Sequence, residues 1–236
     1  MSFIPLREKL LLILQMRRQI ILTQDGSHTI AIPELQVTYH STFGAVQESK
    51  HVFIDAGLIP LLQSHNCIHI LEVGFGTGLN ALLSLGETEK TGSTITYTAI
   101  EPFPLTKEEV NALNYCDQLF QPDWKPYFQQ MHACGWEKEE LITPHFSLYK
   151  TMSILREYNL KHKQQLIFFD AFAPAAQPEL WERSVFDQLY QLLDPGGTLV
   201  TYCSKGSVRR TMQDAGFIIE KLPGPPGKRE MIRAVK

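Results

Sequence analysis

The stretch that decides the fold is Ile70-Leu71-Glu72-Val73-Gly74-Phe75-Gly76-Thr77-Gly78-Leu79-Asn80. The apolar run that ends at Val73 predicts a buried strand, and residues 79–85 predict the first turns of a helix. The alternating glycines between them predict a turn whose backbone N–H groups can contact a ligand at the helix N-terminus. A dinucleotide fingerprint would need glycine in place of Leu79, and a P-loop would need Gly-Lys-Ser/Thr.

An acidic residue two positions before G-x-G-x-G is the feature that separates this loop from those two motifs. With Glu72 at that position, the loop resembles the nucleotide loop of S-adenosylmethionine (SAM)-dependent methyltransferases. This is a family resemblance and does not follow from the spacing alone. Glycine-rich turns between a strand and a helix also occur without any ligand, so the loop by itself leaves that alternative open.

Composition limits the class of protein. The chain has 236 residues, of which 44% are hydrophobic and 20% charged, which predicts one globular domain with an appendage. The net charge of −3 gives no global sign of nucleic-acid binding. No apolar run approaches the length of a membrane span, so we expect no membrane partner. Scattered histidines and cysteines predict no metal, no disulfide framework and a reducing cytoplasm; the cysteines are Cys67, Cys116, Cys134 and Cys203.

The N-terminal quarter predicts an appendage. Residues 1–15 have helical spacing of leucines and are either an ordinary N-terminal helix or an extension upstream of a start at Met16. Residues 16–62 predict a β-hairpin that turns at Asp25-Gly26, an irregular segment over 33–42 and a helix over 44–58. Residues 63–236 then form the main domain.

From Cys67 onward the predicted strands and helices alternate, which predicts an α/β fold with a mostly parallel sheet covered on both faces. A last pair of strands predicts an antiparallel C-terminal edge hairpin. Ligands on such sheets bind beyond the carboxyl ends of the strands, so we expect the chemistry at residues 74–78, 101–103, 149–151 and 170–174. The predicted strands are 67–73, 94–100, 143–148, 165–170, 197–203, 217–222 and 231–235, and the predicted helices are 79–86, 105–114, 125–134, 151–159, 183–193 and 205–215.

Two acidic residues end predicted strands. Glu101 follows the second strand, where its two carboxylate oxygens can accept hydrogen bonds from both ribose hydroxyls of an adenosine ligand. Asp170 follows an almost wholly apolar strand and precedes a proline-containing loop. A fixed anion there can orient an amine and stabilise the positive charge that develops on its nitrogen. The same anion favours the ammonium form, so a proton must leave first, and the sequence does not show its route.

The third strand end offers Tyr149, Lys150 and Thr151 but no acid, although many SAM-dependent enzymes have an aspartate there that contacts adenine. The adenine contact is therefore unassigned. The C-terminal segment 203–236 carries eight lysines and arginines against three acidic residues. Such segregation predicts a local surface that faces phosphates, and the alternative is a solvated helix and hairpin.

These blocks together resemble one family. Residues 170–181, Asp-Ala-Phe-Ala-Pro-Ala-Ala-Gln-Pro-Glu-Leu-Trp, resemble the D-x-F-[AS]-P-x-x-x-P-x-[ML]-W block of the MnmC methyltransferase domain. MnmC proteins are bifunctional enzymes that make 5-methylaminomethyl-2-thiouridine in tRNA. The resemblance covers residues 17–236, with further blocks in the same order at 25–29, 39–41, 48–53, 74–80, 195–204, 208–210, 215–217 and 227–231.

The resemblance implies a Rossmann-like class I methyltransferase that moves a methyl group from SAM to the primary amine of 5-aminomethyl(-2-thio)uridine at the tRNA wobble position. It implies a standalone form without the FAD-dependent domain, so a separate enzyme would supply the amine. The implied catalytic residue is Asp170. The implied cofactor-binding residues are Glu48, Glu72, Gly74, Phe75, Gly76, Thr77, Gly78, Asn80 and Glu101. The implied substrate-binding residues are Tyr39, Phe172, Pro174, Trp181, Lys205, Arg209, Lys228 and Arg229, the last four toward the anticodon arm.

Two other functions remain open at this stage. A small-molecule amine could accept a methyl group from SAM, or an aminopropyl group from decarboxylated SAM, and such an enzyme would need no basic C-terminal face. The chain could instead be a non-catalytic module that binds SAM or RNA. Asp170 argues against the module, because a carboxylate that faces RNA phosphates weakens binding.

Overall fold

A computed structural model describes residues 16–158 and 162–236 of the chain. The predicted alternatives for residues 1–15 lie outside the described residues. Within the described residues, the main sheet has eight strands in the order β10-β11-β9-β8-β4-β5-β7-β6. Strands β9, β8, β4, β5 and β7 are parallel, and β6, β11 and β10 pair antiparallel at the edges. The strands are β4 Cys67–Val73, β5 Thr94–Ile100, β6 Glu139–Thr143, β7 Phe146–Thr151, β8 Gln164–Phe169, β9 Leu193–Thr201, β10 Ile218–Pro223 and β11 Glu230–Val235.

Helices cover both faces of this sheet, because successive strand residues point to opposite sides. Ile70 of β4 belongs to one buried cluster and its neighbour Leu71 to the other. The Rossmann-like α/β fold and the antiparallel C-terminal hairpin are thus confirmed. The helices are α1 Ala45–Ser49, continued by a π-helical stretch Lys50–Leu58 and α2 Ile59–Leu62, then α3 Leu79–Thr91, α4 Lys107–Asn111, α5 Tyr115–Gln118, α6 Lys125–Ala133, α7 Arg183–Leu192 and α8 Gly206–Asp214.

The N-terminal segment forms a small antiparallel sheet of β1 Gln19–Leu22, β2 His28–Ile32 and β3 Val37–Thr38. The predicted hairpin is present, and the segment predicted to be irregular contains the 3₁₀ turn Pro33–Leu35 and strand β3. The long helical segment that follows packs on the main sheet: a Cβ atom at Gly57 would lie 3.0 Å from a methyl carbon of Val200. The helical segment therefore shares the core of the main domain, while the boundary at residue 62 stays a prediction.

Three predicted elements need correction. The strand predicted at 143–148 is two strands: β6 ends at Thr143, and β7 begins at Phe146. Strand β7 stays paired with β5 as far as Thr151. The helix predicted at 151–159 is reduced, within the described residues, to the 3₁₀ turn Leu155–Glu157, since Thr151 still belongs to β7. The helix predicted at 105–114 is shorter because Thr106 and Glu109 form a capping box that starts it at Lys107, and it ends at Asn111.

Candidate functional site

The glycine loop after β4 lies close to the end of β8. Gly74 and Gly76 adopt positive φ angles of 94° and 50°. A Cβ atom at Gly74 would lie 2.6 Å from the Asp170 carbonyl oxygen, and one at Gly76 would lie 3.0 Å from the Tyr39 ring. Both positions therefore require glycine, because a side chain would push the loop away from its neighbours. Gly78 starts α3 and faces His132 rather than the cavity.

Glu101 holds the glycine loop from the end of β5. One carboxylate oxygen accepts the Gly76 N–H at 2.8 Å, and the other accepts the Phe103 N–H at 2.8 Å. Burial raises the pKa of Glu101, and these two hydrogen bonds oppose that shift. A carboxylate offers about four acceptor positions, so each oxygen keeps one for a ligand in the cavity that Glu101 lines. This geometry fits the predicted contact with two ribose hydroxyls.

Asn80 connects two buried carboxyl groups. Its amide nitrogen donates to Glu72 Oε1 at 2.9 Å and to Asp170 Oδ2 at 3.0 Å. Burial raises the pKa of Glu72 well above its usual range and raises that of Asp170 to about 8. For Asp170 the neighbouring Glu48 carboxyl adds to the rise, while Asn80 and Lys228 oppose it. Glu72 is fully buried and does not line the cavity. Glu72 therefore holds Asn80 in place instead of making the predicted contact with the cofactor.

Glu48 and Lys228 form an ion pair between α1 and the C-terminal hairpin. Glu48 also accepts the Ser41 N–H at 2.6 Å, and the Lys228 ammonium lies 3.8 Å from the centre of the Tyr202 ring. The Tyr202 hydroxyl donates to the Ala171 carbonyl at 2.8 Å. Glu48 does not line the cavity. Lys228 forms its ion pair with Glu48 near Asp170, so its ammonium group is not free on the surface.

Aromatic rings form one wall of the cavity. Tyr39 and Phe172 meet edge to face with their centroids 5.2 Å apart, and both line the cavity beside Asp170. Tyr39 therefore lies on the cavity wall, where its predicted contact with the substrate requires it to be. The cavity wall otherwise combines the glycine loop with Glu101, the 3₁₀ turn and the loop after β8; these residues are Val73–Thr77, Leu79, Asn80, Ile100–Phe103, Ile154–Arg156, Ala171, Gln177, Glu179 and Leu180, with Ile32 and His40.

The third strand end contributes to the cavity through other residues than predicted. Residues 149–151 do not line it, whereas Ile154, Leu155 and Arg156 do. Glu137 accepts hydrogen bonds from the Tyr149 and Thr151 hydroxyls and turns them away. Because β7 extends to Thr151, the chain reaches the cavity at residues 154–156, five residues later than the sequence pattern indicates.

Trp181 supports the loop after β8 from below. Its ring is buried against Phe169 and Phe186, and its indole N–H donates to the Phe172 carbonyl at 2.8 Å. Neither Trp181 nor Pro174 lines the cavity. The prediction that these two residues border a base pocket is therefore corrected, and of that set Phe172 alone faces the cavity.

The basic C-terminal residues lie at the start of α8 and around the turn of the C-terminal hairpin. The pKa of Glu230 is lowered first by its hydrogen bond with Lys221 and further by Arg229 and Arg209, so both arginines lie near this carboxylate. Lys205 precedes α8. The charges of Lys205 and Lys228 oppose the rise that burial causes in the pKa of the Cys203 thiol, so both lysines lie near this thiol. Within residues 16–158 and 162–236, Lys205, Arg209 and Arg229 form no ion pair. They remain available to a polyanion.

Within the described part of the chain, no group of three or more His, Cys, Asp and Glu side chains is arranged to hold a metal ion. In the same residues, no helix combines the length and apolar character needed to cross a membrane.

Comparison with known proteins adds independent information. A model of a family described as S-adenosyl-L-methionine-dependent methyltransferase matches residues 118–236. The tRNA 5-methylaminomethyl-2-thiouridine biosynthesis bifunctional protein MnmC of Pseudomonas entomophila (strain L48) is 30% identical over 84% of this chain and 32% of its own length. MnmC of Leptospira interrogans (serovar Lai, strain 56601) is 32% identical over 90% of this chain and 34% of its own length. The chain thus spans about a third of the length of these relatives.

Solved structures give the same fold. MnmC2 from Aquifex aeolicus matches with a TM-score of 0.75 at 22% identity, covering 99% of this chain and 77% of that chain. Spermidine synthase from Thermotoga maritima matches with a TM-score of 0.55 at 12% identity, covering 93% and 69%. At these identities the two structures establish a shared fold.

Proposed function

The chain belongs to the family of S-adenosyl-L-methionine-dependent methyltransferases, and from that premise we propose that it methylates the primary amine of 5-aminomethyl(-2-thio)uridine at the wobble position of tRNA. The observation that carries this proposal is the similarity to MnmC proteins at about 30% identity over 84–90% of the chain. The position of Asp170 on the cavity wall supports it, because amine methylation needs a nearby proton acceptor.

The residues that line the cavity fit SAM. Glycines let the loop pack closely against Asp170 and Tyr39 at the cavity wall, and Glu101 keeps acceptor positions toward the cavity. Gly74, Phe75, Gly76, Thr77 and Glu101 would hold the cofactor, with Ile154 and Leu155 as apolar walls. When bound, SAM supplies an electrophilic methyl group on a sulfonium. The protein must therefore deliver the amine with a free lone pair.

Asp170 can remove the proton that blocks this lone pair. An alkylamine with a pKa near the lysine value of about 10.4 arrives as an ammonium ion. Asn80 occupies Asp170 Oδ2, which leaves Oδ1 for the substrate. With its pKa raised to about 8, the Asp170 carboxylate accepts one ammonium proton far more readily than an exposed aspartate would. The carboxylate becomes a carboxylic acid and the substrate becomes a neutral amine.

Asn80 and Glu72 act through Asp170. The amide of Asn80 fixes Asp170 Oδ2, and Asn80 is in turn fixed by Glu72 Oε1. Burial raises the pKa of Glu72 well above its usual range, which favours the neutral form of Glu72 behind Asp170. We assign both as positioning residues.

The partner and the setting follow from the same proposal. Lys205, Arg209 and Arg229 form no ion pair within the described residues, and they would contact phosphates of the tRNA anticodon arm. Such an enzyme would work in the cytoplasm. A separate enzyme would supply the amine that this chain methylates.

A transfer assay with isotopically labelled SAM tests the substrate class. The protein is incubated with bulk tRNA from cells that accumulate the aminomethyl nucleoside, and in parallel with a mixture of polyamines. The proposal expects label in tRNA and none in polyamines. Label in polyamines alone would assign the protein to methyl transfer onto small amines, and decarboxylated SAM in the same assay would reveal aminopropyl transfer.

A further inference from the structure

Phe43 is an exposed aromatic residue that follows Tyr39 of the cavity wall by four residues and packs against the turn of the C-terminal hairpin. Its side chain is 44% exposed. The segment that carries it begins at Tyr39 on the cavity wall and reaches the surface four residues later. A single exposed aromatic is ordinary in a folded protein, so its surroundings decide whether it has a role.

The chain around Phe43 is held rigidly. The Phe43 N–H donates to the Ser41 hydroxyl at 3.2 Å, and the Gly44 N–H donates to the Ser41 carbonyl at 3.1 Å. The Gln24 N–H, from the turn after β1, donates to the Thr42 carbonyl at 3.0 Å. A ring on a rigid segment loses little conformational entropy when a ligand stacks on it.

One side of the Phe43 ring rests on the turn of the C-terminal hairpin. A Cβ atom at Gly227 would overlap the ring, and Gly227 has a φ angle of 83°. The next residue is Lys228, which pairs with Glu48 near Asp170, and the residue after it is the exposed Arg229. The Phe43 ring therefore adjoins the hairpin turn that carries Lys228 and Arg229.

We infer that Phe43 is a stacking platform for an unpaired anticodon base next to the nucleotide whose base enters the cavity. An aromatic ring beside cationic side chains is the combination by which proteins bind single-stranded nucleic acid. The positive charge of Arg209 and Arg229 favours RNA over an apolar protein surface as the occupant. The inference rests on the proposed function and adds the nucleotide contact that neither the cavity nor the phosphate contacts provide.

The test measures binding of an anticodon stem–loop RNA that carries 2-aminopurine on one side of the wobble nucleotide or on the other. With the wild type, stacking on Phe43 is expected to quench the fluorescence of one of the two probes. Phe43→Ala should remove that quenching and weaken binding about 5- to 100-fold, the range found for loss of one base–aromatic stack. Phe43→Trp should restore both readouts, and Phe43→Leu should restore neither, because leucine has no π-face.

Ile218→Ala is the matched control. Ile218 is 67% exposed and pairs with Val235 at the end of β10 away from the hairpin turn. It should bind the RNA like the wild type. SAM affinity and melting temperature should be unchanged in the Phe43 variants.

The outcomes separate this inference from the proposed function. Suppose that the wild type methylates tRNA and that Phe43→Ala or Phe43→Leu binds the RNA and quenches the probe as the wild type does. The stacking inference is then overturned, and the proposed function stands. If the wild type neither binds the stem–loop nor methylates tRNA, both fail. If Phe43→Ala abolishes a dimer in sedimentation but leaves RNA binding intact, the ring packs against a second copy and the inference is overturned.

Discussion

Replacement of Asp170 by asparagine tests the proton acceptor. The asparagine amide oxygen can still accept from Asn80, so the network and the fold should persist. What is lost is the group that we propose takes the ammonium proton. Removal of a general base or of one electrostatic partner lowers turnover by about 100- to 1,000-fold, and we expect a loss of that order in kcat for aminomethylated tRNA with SAM affinity nearly unchanged.

The pH dependence of the rate supplies a second readout. The active form is the carboxylate, and the pKa of Asp170 is about 8 because the group is buried near Glu48. The ionised fraction then rises from about one tenth at pH 7 to about nine tenths at pH 9. Wild-type kcat should therefore increase about tenfold across this interval. Asp170→Asn should instead follow the fraction of substrate amine that is already neutral, which rises about 100-fold over the same interval for a pKa near 10.4.

The assay is single-turnover methyl transfer with saturating SAM at a series of pH values. Asp55→Asn is the matched control, because Asp55 is exposed on the π-helical stretch and does not line the cavity. It should follow the wild-type profile. If Asp170→Asn kept near wild-type kcat and only its tRNA affinity fell, Asp170 would position the substrate without accepting a proton.

Three further changes have defined outcomes. Gly76→Asp should abolish SAM binding in calorimetry, because its side chain would meet Tyr39 and bring a charge beside Glu101; unchanged affinity would refute the loop assignment. Asn80→Ala leaves two buried carboxyl groups without their donor, so it should lower the free energy of unfolding by about 1–3 kcal/mol and lower kcat, whereas a wild-type pH profile would contradict its positioning role. The triple change of Lys205, Arg209 and Arg229 to alanine should flatten the salt dependence of tRNA binding by about 0.7–0.9 per lost contact, and an unchanged slope would mean that the RNA docks elsewhere.

The sequence predicts those parts of the site that lie in one continuous motif at a strand end. The glycine loop, Glu101 and Asp170 are of this kind, because a parallel sheet brings the carboxyl ends of its strands together whatever the details of packing. The alternating pattern likewise predicts the sheet and its C-terminal hairpin. These features depend on local periodicity, which a single sequence contains.

Other parts depend on contacts between residues distant in the chain. Glu137 bonds to Thr151 and Met152 and keeps the third strand end extended, which local propensity cannot reveal. Trp181 is of a residue type that can stack on a base, yet its indole N–H donates to the Phe172 carbonyl in the core. Lys228 belongs to a basic segment but pairs with Glu48, 180 residues away.

The central claim is that this chain methylates an aminomethyl group on the wobble uridine of tRNA. The most direct measurement is mass spectrometry of nucleosides from tRNA that carries 5-aminomethyl-2-thiouridine, before and after incubation with the protein and SAM. The proposed function predicts that the wild type converts this nucleoside to 5-methylaminomethyl-2-thiouridine and that Asp170→Asn converts hardly any of it. An unchanged nucleoside in the presence of bound SAM, or a methyl group on any other nucleoside, would contradict it.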